Sequence, residues 1–362
     1  MTKGLYIHIP FCERKCNYCD FYSGSYSADT KARYVEKLCD EIRKWGRLNT
    51  CPIDTIYFGG GTPSLLSPAE LTKIITEIRS FFTVTADAEI TCEVNPGDDV
   101  DFIKTAAELG VNRISTGIQS SDEKELTLLG RRHSFCDAVN TVTAAKNVGI
   151  TNISVDIMIG LPNSSTESLQ KTLKDILSLD VPHISSYILK IEEGTPFYKN
   201  GITLPDEDQV ADQYLFMSDS LKSAGYEHYE ISNFAKSGFQ SRHNNKYWNS
   251  EEYIGIGPAA HSFFEGKRFY YPRSTESFMN TPRTVDDGTG GDAQEYVMLA
   301  LRLSKGLSIK EFENKFGRLP NKFINRVRSF KGFCTVDGEN IRLTDEGMLI
   351  SNAIISELIE VL

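Results

Sequence analysis

The sequence lacks any run of about twenty apolar residues, the length that a helix needs to cross a membrane. It also lacks an excess of basic residues: 39 Lys and Arg stand against 49 Asp and Glu, and the formal net charge is -10. Such a charge argues against general affinity for nucleic acid or anionic lipid, which requires basic patches. The first ten residues lack the apolar stretch of a signal peptide. We therefore expect a cytoplasmic protein with no membrane span, whose cysteines stay reduced.

The chain has 362 residues, of which 40% are hydrophobic and 24% are charged, so it can bury the core of one large domain and a smaller one. Five of its eight cysteines stand singly, at Cys39, Cys51, Cys92, Cys136 and Cys334. We interpret these five as small buried apolar groups rather than metal ligands. The other three lie together in one short stretch.

Cys12, Cys16 and Cys19 form the spacing C-x3-C-x2-C near the start of the chain. Three thiolates on one tight loop suit a soft metal. A structural zinc site usually takes four protein ligands, and no second C-x2-C or His pair lies nearby at the spacing of a zinc finger. The spacing therefore favours an iron–sulfur cluster that keeps one iron open for a ligand that is not protein.

Short apolar runs alternate with amphipathic helical patterns from residue 5 to about residue 190, which is typical of a parallel sheet covered by helices. The pattern predicts strands at residues 5–9, 55–58, 89–94, 113–118, 153–159 and 184–189. Helices are predicted after the cysteine loop and at residues 68–82, 102–109, 137–148 and 167–177. A capping box at Ser67-Pro68-Ala69-Glu70 marks the start of the second helix. Six such units predict a partial barrel rather than a closed eightfold one.

Glycines and polar residues stand at the ends of these strands, where parallel α/β folds carry their chemistry. Gly59-Gly60-Gly61 follows the second strand, Glu93 closes the third, Gln119 closes the fourth, and Asp156 lies inside the fifth. Three glycines let the backbone approach a ligand, but a simple tight turn explains them equally well. A carboxylate in an apolar strand needs a partner, which a purely structural pair also supplies.

The cysteine stretch, with His8-Ile-Pro-Phe before it and an aromatic residue after it, resembles the cluster loop of the radical S-adenosylmethionine (SAM) proteins. It is most similar to the branch of oxygen-independent coproporphyrinogen III oxidase and its HemW relatives. The resemblance implies an α/β fold with a radical SAM partial (β/α)6 barrel of the TIM type. It also implies a 4Fe-4S cluster on Cys12, Cys16 and Cys19, with SAM on the open iron. In that chemistry the reduced cluster passes one electron to the sulfonium, and a 5'-deoxyadenosyl radical forms.

The resemblance further implies which residues contact SAM. They stand in the cysteine stretch and in five further loops or strands, and are Tyr6, Tyr18, Gly60, Gly61, Thr62, Glu93, Gln119, Arg131 and Asp156. These residue types suit the ligand, because a ribose diol needs carboxylate or amide acceptors and a carboxylate suits the fork of an arginine.

Residues 242–249 read Arg-His-Asn-Asn-Lys-Tyr-Trp-Asn. A His, a Tyr and a Trp in so short a stretch can supply an axial nitrogen and flat apolar surface for a tetrapyrrole, although a loop of packed aromatic residues is the simpler interpretation. The stretch matches the H-N-x-x-Y-W motif of the HemW branch, whose members bind heme. The match implies heme contacts by His243, Asn244, Tyr247 and Trp248. His261, in a glycine-rich turn predicted at 254–262, is a lesser candidate.

The position two residues after Cys19 separates the two branches. The oxidase has a fourth cysteine there, whereas this chain has Phe21, as HemW proteins do. The resemblance therefore implies a heme chaperone that delivers heme to acceptor hemoproteins such as respiratory enzymes. It does not decide whether the protein contacts a membrane surface or whether it forms a homodimer. The alternative is an anaerobic coproporphyrinogen III oxidase, which forms protoporphyrinogen IX by radical decarboxylation.

Three regions are predicted along the chain: a barrel with the cluster loop at 1–200, an extension with the H-N-x-x-Y-W stretch at 201–290, and a small helical module at 291–362. The extension begins with a helix at 207–224. In the module, helices at 296–303, 309–316 and 321–330, a hairpin at 334–343 and a helix from residue 345 resemble a winged helix. Such modules often bind DNA, which is a third hypothesis. The acidic chain and the few cations at 321–328 argue against a nucleic-acid partner.

Overall fold

The computed structural model describes residues 2–362. Its centre consists of six strands that lie side by side in chain order, each parallel to its neighbours. They are β1 (Lys3–Ile9), β2 (Ile53–Gly60), β3 (Val84–Val94), β4 (Arg113–Gln119), β5 (Asn152–Ile159) and β6 (His183–Ile188). All six predicted strands are confirmed, and their apolar residues explain their burial.

Helices connect these strands, and all of them except α4 (Glu123–Leu129) bury apolar residues in the core that the sheet forms. They are α1 (Ala28–Leu48), α2 (Pro68–Phe81), α3 (Val100–Glu108), α4 (Glu123–Leu129), α5 (Phe135–Asn147) and α6 (Thr166–Ser178), with a short 3-10 turn at Pro63–Leu65. Helix α2 begins with the predicted capping box, in which Ser67 and Glu70 bond each other's backbone N–H. Helix α4 was not predicted, because its seven residues bury only Leu126 and Leu129 and show little periodicity.

The sheet continues on both sides of these six strands and does not close. Strand β9 (Tyr253–Ile256) pairs parallel with β1, and β8 (Asn233–Ala235) pairs antiparallel with β6. The twelve strands end in β12 (Val285–Thr289) at one edge and β7 (Glu227–Glu230) at the other, so the barrel is partial, as predicted. The elements after β6 are α7 (Pro196–Lys199), α8 (Glu207–Ser223), β7 (Glu227–Glu230), β8 (Asn233–Ala235), α9 (Arg242–Trp248), β9 (Tyr253–Ile256), β10 (His261–Phe264), β11 (Lys267–Tyr270), α10 (Thr275–Asn280) and β12 (Val285–Thr289).

The C-terminal part has its own apolar core and a three-stranded sheet. Its elements are α11 (Ala293–Ala300), β13 (Leu307–Ser308), α12 (Ile309–Phe316), α13 (Asn321–Ser329), β14 (Cys334–Val336), β15 (Asn340–Leu343), α14 (Asp345–Leu349) and α15 (Ser351–Glu360). The predicted helices and hairpin are confirmed. The prediction of a single last helix was wrong. The backbone leaves the helical region at Ile350, with φ -108° and ψ 23°, and this break separates α14 from α15.

Two further predictions require correction. Of the five single cysteines only Cys39 and Cys92 are buried, whereas Cys136 is exposed in the first turn of α5. The stretch 254–262 is mostly extended, because β9 and β10 take up both of its ends and leave only residues 257–260 as a turn. Within the described residues, no helix has both the length and the apolar character that crossing a membrane requires.

Candidate functional site inside the barrel

A cavity of about 310 Å³ with many polar side chains in its wall lies inside the barrel, and every second residue of its central strands faces it. The residues that line it are Arg113, Ser115, Gly117 and Gln119 on β4, Ser154, Asp156 and Met158 on β5, and Ser185 and Tyr187 on β6. The residues between them, such as Ile114 and Val155, pack into the apolar core outside. Because a barrel interior is usually filled by branched apolar side chains, this polar interior is a feature of function rather than of packing.

The three cysteines of the N-terminal stretch lie at the end of this cavity. Cys12, Cys16 and Cys19 all line it, and none forms a disulfide. Within residues 2–362, no three His, Cys, Asp or Glu side chains converge as the ligands of a single metal ion do. A 4Fe-4S cluster binds each thiolate through a different iron, so its three thiolates need not converge on a single point. Burial raises the pKa of the Cys19 thiol to about 11, so iron would have to displace its proton.

The cysteine loop is fixed to the barrel through its own backbone and through Asn17. The side chain of Asn17 donates to the carbonyl oxygen of Leu128 at 2.8 Å, and its N–H donates to that of Leu129 at 2.9 Å. The N–H of Cys12 donates to the carbonyl oxygen of Gly24 at 2.8 Å, which closes the loop. Helix α4, which the sequence pattern did not reveal, thus holds the cluster loop in place.

The glycine triplet packs closely against neighbouring groups, and at Gly61 it packs against the start of this loop. A Cβ on Gly59 would meet Glu93 Oε1 at 2.9 Å, and one on Gly61 would meet the carbonyl oxygen of Phe11 at 2.6 Å. Gly60 has φ +108°, a conformation that side chains rarely adopt. The N–H of Gly61 donates to the carbonyl oxygen of Ile9 at 2.8 Å. Gly59 therefore allows the close approach of Glu93, and Gly61 allows the close approach of β2 to the start of the cysteine loop.

Arg131 lies between the cysteine loop and β4. Its Nη1 donates to Cys16 Sγ at 3.5 Å, and its Nη2 donates to the carbonyl oxygen of Gly117 at 2.6 Å and to Asn95 Oδ1 at 3.2 Å. Within residues 2–362 its buried Nε has no hydrogen-bond partner. Gln119, at the end of β4, has φ +72°, a strained conformation for a residue other than glycine. An unpaired donor and a strained residue at one cavity are typical of a ligand site.

Two carboxyl groups face the cavity. Tyr57 donates to Glu93 Oε1 at 2.8 Å, and the N–H of Gly60 donates to Oε2 at 3.1 Å. Burial raises the pKa of Glu93 to about 7, although the bond from Tyr57 opposes this rise. Burial also raises the pKa of Asp156 to about 6, opposed by a bond from Ser185 and by the positive charge of Arg113. Both groups can accept hydroxyl or ammonium hydrogens from a ligand.

Arg113 forms part of the cavity wall near the start of β4, and sequence reasoning missed it. It is 2% exposed, and its buried Nε has no hydrogen-bond partner within the described residues. The signal that would have found it is the alternation in Arg-Ile-Ser-Thr-Gly-Ile-Gln, where Arg113, Ser115 and Gln119 share one face of the strand. The same alternation marks Ser154 and Asp156.

The remaining residues expected at SAM divide into two groups. Tyr18, Thr62 and the residues already described line the cavity. Tyr6 is not among the lining residues: it lies on β1, and its hydroxyl bonds His8 Nδ1 at 3.0 Å. Its SAM contact stays a prediction.

The H-N-x-x-Y-W stretch forms helix α9 at the other end of the barrel. Nδ1 of His243 bonds Thr55 Oγ1 at 2.8 Å, and its Nε2 bonds the hydroxyl of Tyr247 at 2.8 Å. A Cβ on Gly4 would lie 3.2 Å from the His243 ring, so this ring lies beside the start of β1. The cysteine loop follows the end of β1, about 17 Å away at the rise of a parallel strand. His243 is fully buried, and neither ring nitrogen is open to a ligand.

The other residues of this stretch have different surroundings. Asn244 lines the cavity from α9. Trp248 is half-buried, and the guanidinium of Arg302 lies 5.8 Å from its ring. His261 is exposed on β10, stacks on Tyr270 and does not line the cavity. Of the five candidates for heme, the structure places only Asn244 at the site that carries the cysteines.

Comparison with known proteins agrees with this architecture. The family model described as the radical SAM superfamily matches residues 6–176, and the model described as the HemN C-terminal domain matches residues 292–350. Over its full length the chain is similar in fold to coproporphyrinogen III oxidase (HemN) from Escherichia coli, with a TM-score of 0.86 and 21% identity, covering 91% of that chain.

The curated relatives are closer in sequence. The heme chaperone HemW of Lactococcus lactis is 33% identical over 98% of this chain and 96% of its own. The heme chaperone HemW of Bacillus subtilis is 34% identical over 97% of this chain and 98% of its own. This chain therefore belongs to the HemW family of the radical SAM superfamily.

Proposed function

We propose that this protein is a heme chaperone, which binds heme and passes it to acceptor hemoproteins, and that it works with a 4Fe-4S cluster and SAM. The observation that carries the proposal is the similarity to HemW proteins over almost the whole chain. Phe21 supports it, since it stands where the related oxidase has its fourth cysteine.

Membership of the radical SAM superfamily implies the cluster and SAM. Cys12, Cys16 and Cys19 would hold the cluster by their thiolates. When bound together, the two cofactors supply one-electron chemistry at the sulfonium of SAM. The unpaired Nε of Arg131 and the acceptors Glu93, Gln119 and Asp156 provide complementary partners for a ligand that carries a carboxylate, an amino group and a ribose.

The buried His243 weighs against heme contacts by the whole H-N-x-x-Y-W stretch. Two hydrogen bonds already satisfy its ring, and burial together with the charge of Lys246 lowers its pKa to about 3. We assign this residue a structural role, in which it joins α9 to β2.

One experiment separates this function from its rival, the anaerobic coproporphyrinogen III oxidase. The full chain is reconstituted anaerobically with iron and sulfide, and SAM and a reductant are added. One aliquot is titrated with heme, and another is given coproporphyrinogen III. We expect saturable heme binding and no protoporphyrinogen; stoichiometric formation of the vinyl product would overturn the chaperone function.

DNA binding by the C-terminal module is a weaker candidate. The side chain of Arg326 in α13 pairs with Glu357, so one of the few cations of that helix is already neutralised. Binding measured across a salt series tests this hypothesis, because contacts to phosphate weaken steeply as salt rises.

A further inference from the structure

The mouth of the cavity carries two exposed aromatic rings. Phe21, at the end of the cysteine loop, is 70% exposed, and Tyr187, at the end of β6, is 42% exposed. Both line the cavity that the cysteines line. A single exposed apolar residue is ordinary, but two large rings at one opening are typical of a binding surface for a flat apolar ligand.

Around this mouth, within the described residues, the acidic side chains have ion-pair partners, whereas two of the cations do not. Two acidic residues of the cysteine loop are paired, Glu13 with Arg132 and Asp20 with Arg273. Arg14 and Lys15 line the cavity, and within residues 2–362 neither forms an ion pair. The side chain of Arg14 donates only to the carbonyl oxygen of Gly130, at 3.1 Å. The mouth therefore offers two cations without carboxylate partners on an otherwise acidic chain.

We infer that heme docks across this mouth, with its ring against Phe21 and Tyr187 and its propionates toward Arg14 and Lys15. The inference rests on the proposed function, because it places the heme that a chaperone would carry. A cavity of about 310 Å³ is at the small end of ligand pockets, and SAM would occupy much of it. A tetrapyrrole ring therefore lies over the opening rather than within it.

This placement gives the branch-specific position a physical role. A cysteine at position 21 would present a small polar thiol, whereas Phe21 presents a flat apolar face beside the cluster loop. This placement also agrees with the burial of His243, since heme at the mouth does not need that residue as a ligand. Arg14 and Lys15 recognise carboxylates by charge, which suits the two propionates of heme.

The test is a titration with hemin, followed by absorbance, on the full chain reconstituted with its cluster and SAM. We expect Phe21→Ala and Tyr187→Ala each to raise the Kd for hemin about tenfold, because each removes one face of contact. Phe333→Ala is the matched control: its ring is 37% exposed on the C-terminal module, and its Kd should equal that of the wild type. If Phe21→Ala disturbs the cluster loop, Tyr187→Ala, which lies outside that loop, decides.

A second ligand tests the charges separately. Replacing Arg14 and Lys15 together by Gln should raise the Kd for hemin, yet leave the Kd for hemin dimethyl ester unchanged, because the ester has no propionate charge. Wild-type affinity for hemin in both aromatic variants, or a loss of affinity in Trp248→Ala alone, would overturn this placement while leaving the chaperone function intact. Failure of the wild type to bind hemin would overturn the function itself.

Discussion

Arg131 joins Cys16 to Gly117: one nitrogen of its guanidinium lies 3.5 Å from the cysteine sulfur, and another lies 2.6 Å from the glycine carbonyl oxygen. The same residue connects the expected cluster loop to the strand that forms the cavity wall. Since its buried Nε has no partner in the part of the chain that the structure describes, the guanidinium retains one donor for a ligand. A ligand on the open iron and a ligand in the cavity would therefore meet the same side chain.

Removing this arginine tests its role in SAM binding. We expect Arg131→Gln to raise the Kd for SAM at least about tenfold, because a charge-assisted bond to a carboxylate contributes roughly 1.5–3 kcal/mol. The measurement is a calorimetric titration of the reconstituted protein with SAM. Arg132→Gln is the control, since Arg132 is exposed and pairs only with Glu13. Equal affinity in the two variants would exclude Arg131 from the SAM site.

The cysteine assignment has a direct test. Cys16→Ser should lose the absorbance of the cluster and its iron after anaerobic reconstitution, because a hydroxyl is a poor ligand for cluster iron. Cys136→Ser, at an exposed cysteine of α5, should keep both. Iron and absorbance at wild-type levels in Cys16→Ser would show that the ligand assignment is wrong.

In the chain without cofactors, Glu93 makes the free energy of unfolding depend on pH. Its pKa is about 7 in the folded chain, against an ordinary value of 4.5 that we take for the unfolded one, so the folded state keeps a proton that the unfolded state loses. The stability it contributes is full below pH 4.5 and is lost as pH rises through about 7. We expect Glu93→Gln to remove this loss, so that the wild type destabilises relative to the variant by about 2 kcal/mol between pH 5 and pH 8.

Thermal unfolding of the wild type and of Glu93→Gln at several pH values measures this difference. Glu108→Gln, at an exposed position near the end of α3, should follow the wild-type curve. Parallel curves for the wild type and Glu93→Gln would contradict the raised pKa.

His243 should behave as a structural residue. His243→Ala leaves Thr55 and Tyr247 without their partner inside the protein, and we expect a loss of about 2–4 kcal/mol in the free energy of unfolding. Urea unfolding measures this loss. Asn245→Ala, at a half-buried position of the same helix, should change it by less than about 0.5 kcal/mol. A stable His243→Ala protein that no longer binds heme would instead make His243 a heme ligand.

Local pattern sufficed for most of the barrel. The strands and most of the helices follow from short apolar runs and one-face periodicity, because burial of apolar faces is what forms them. Helix α4 escaped detection, since two buried leucines carry too little pattern, and yet it holds the cysteine loop through Asn17. The break at Ile350 escaped for a similar reason, because Leu349 and Ser351 on either side of it carry no stop signal.

Residue spacing also sufficed to predict the chemistry of the cysteine loop, because three thiols within eight residues must lie on the same short loop. Residue spacing could not predict the distances between segments that lie far apart in the chain. Sequence grouped His243 with the heme residues by motif, whereas tertiary structure buries its ring beside Gly4 and Thr55. The motif likewise did not reveal Arg113, which becomes part of the cavity wall only when the strands curve round the cavity.

The amino-acid sequence by itself thus determined the order of strands and helices and the nature of the cluster loop, since both depend on neighbours in the chain. The tertiary structure alone decided which polar side chains share a cavity, because β4, β5 and β6 bring together residues that lie up to 74 positions apart, from Arg113 to Tyr187. It also decided which aromatic residues stay exposed at the cavity mouth. Phe21 is exposed there, while the aromatic Tyr34 of the following helix is fully buried, a difference set by packing rather than by residue type.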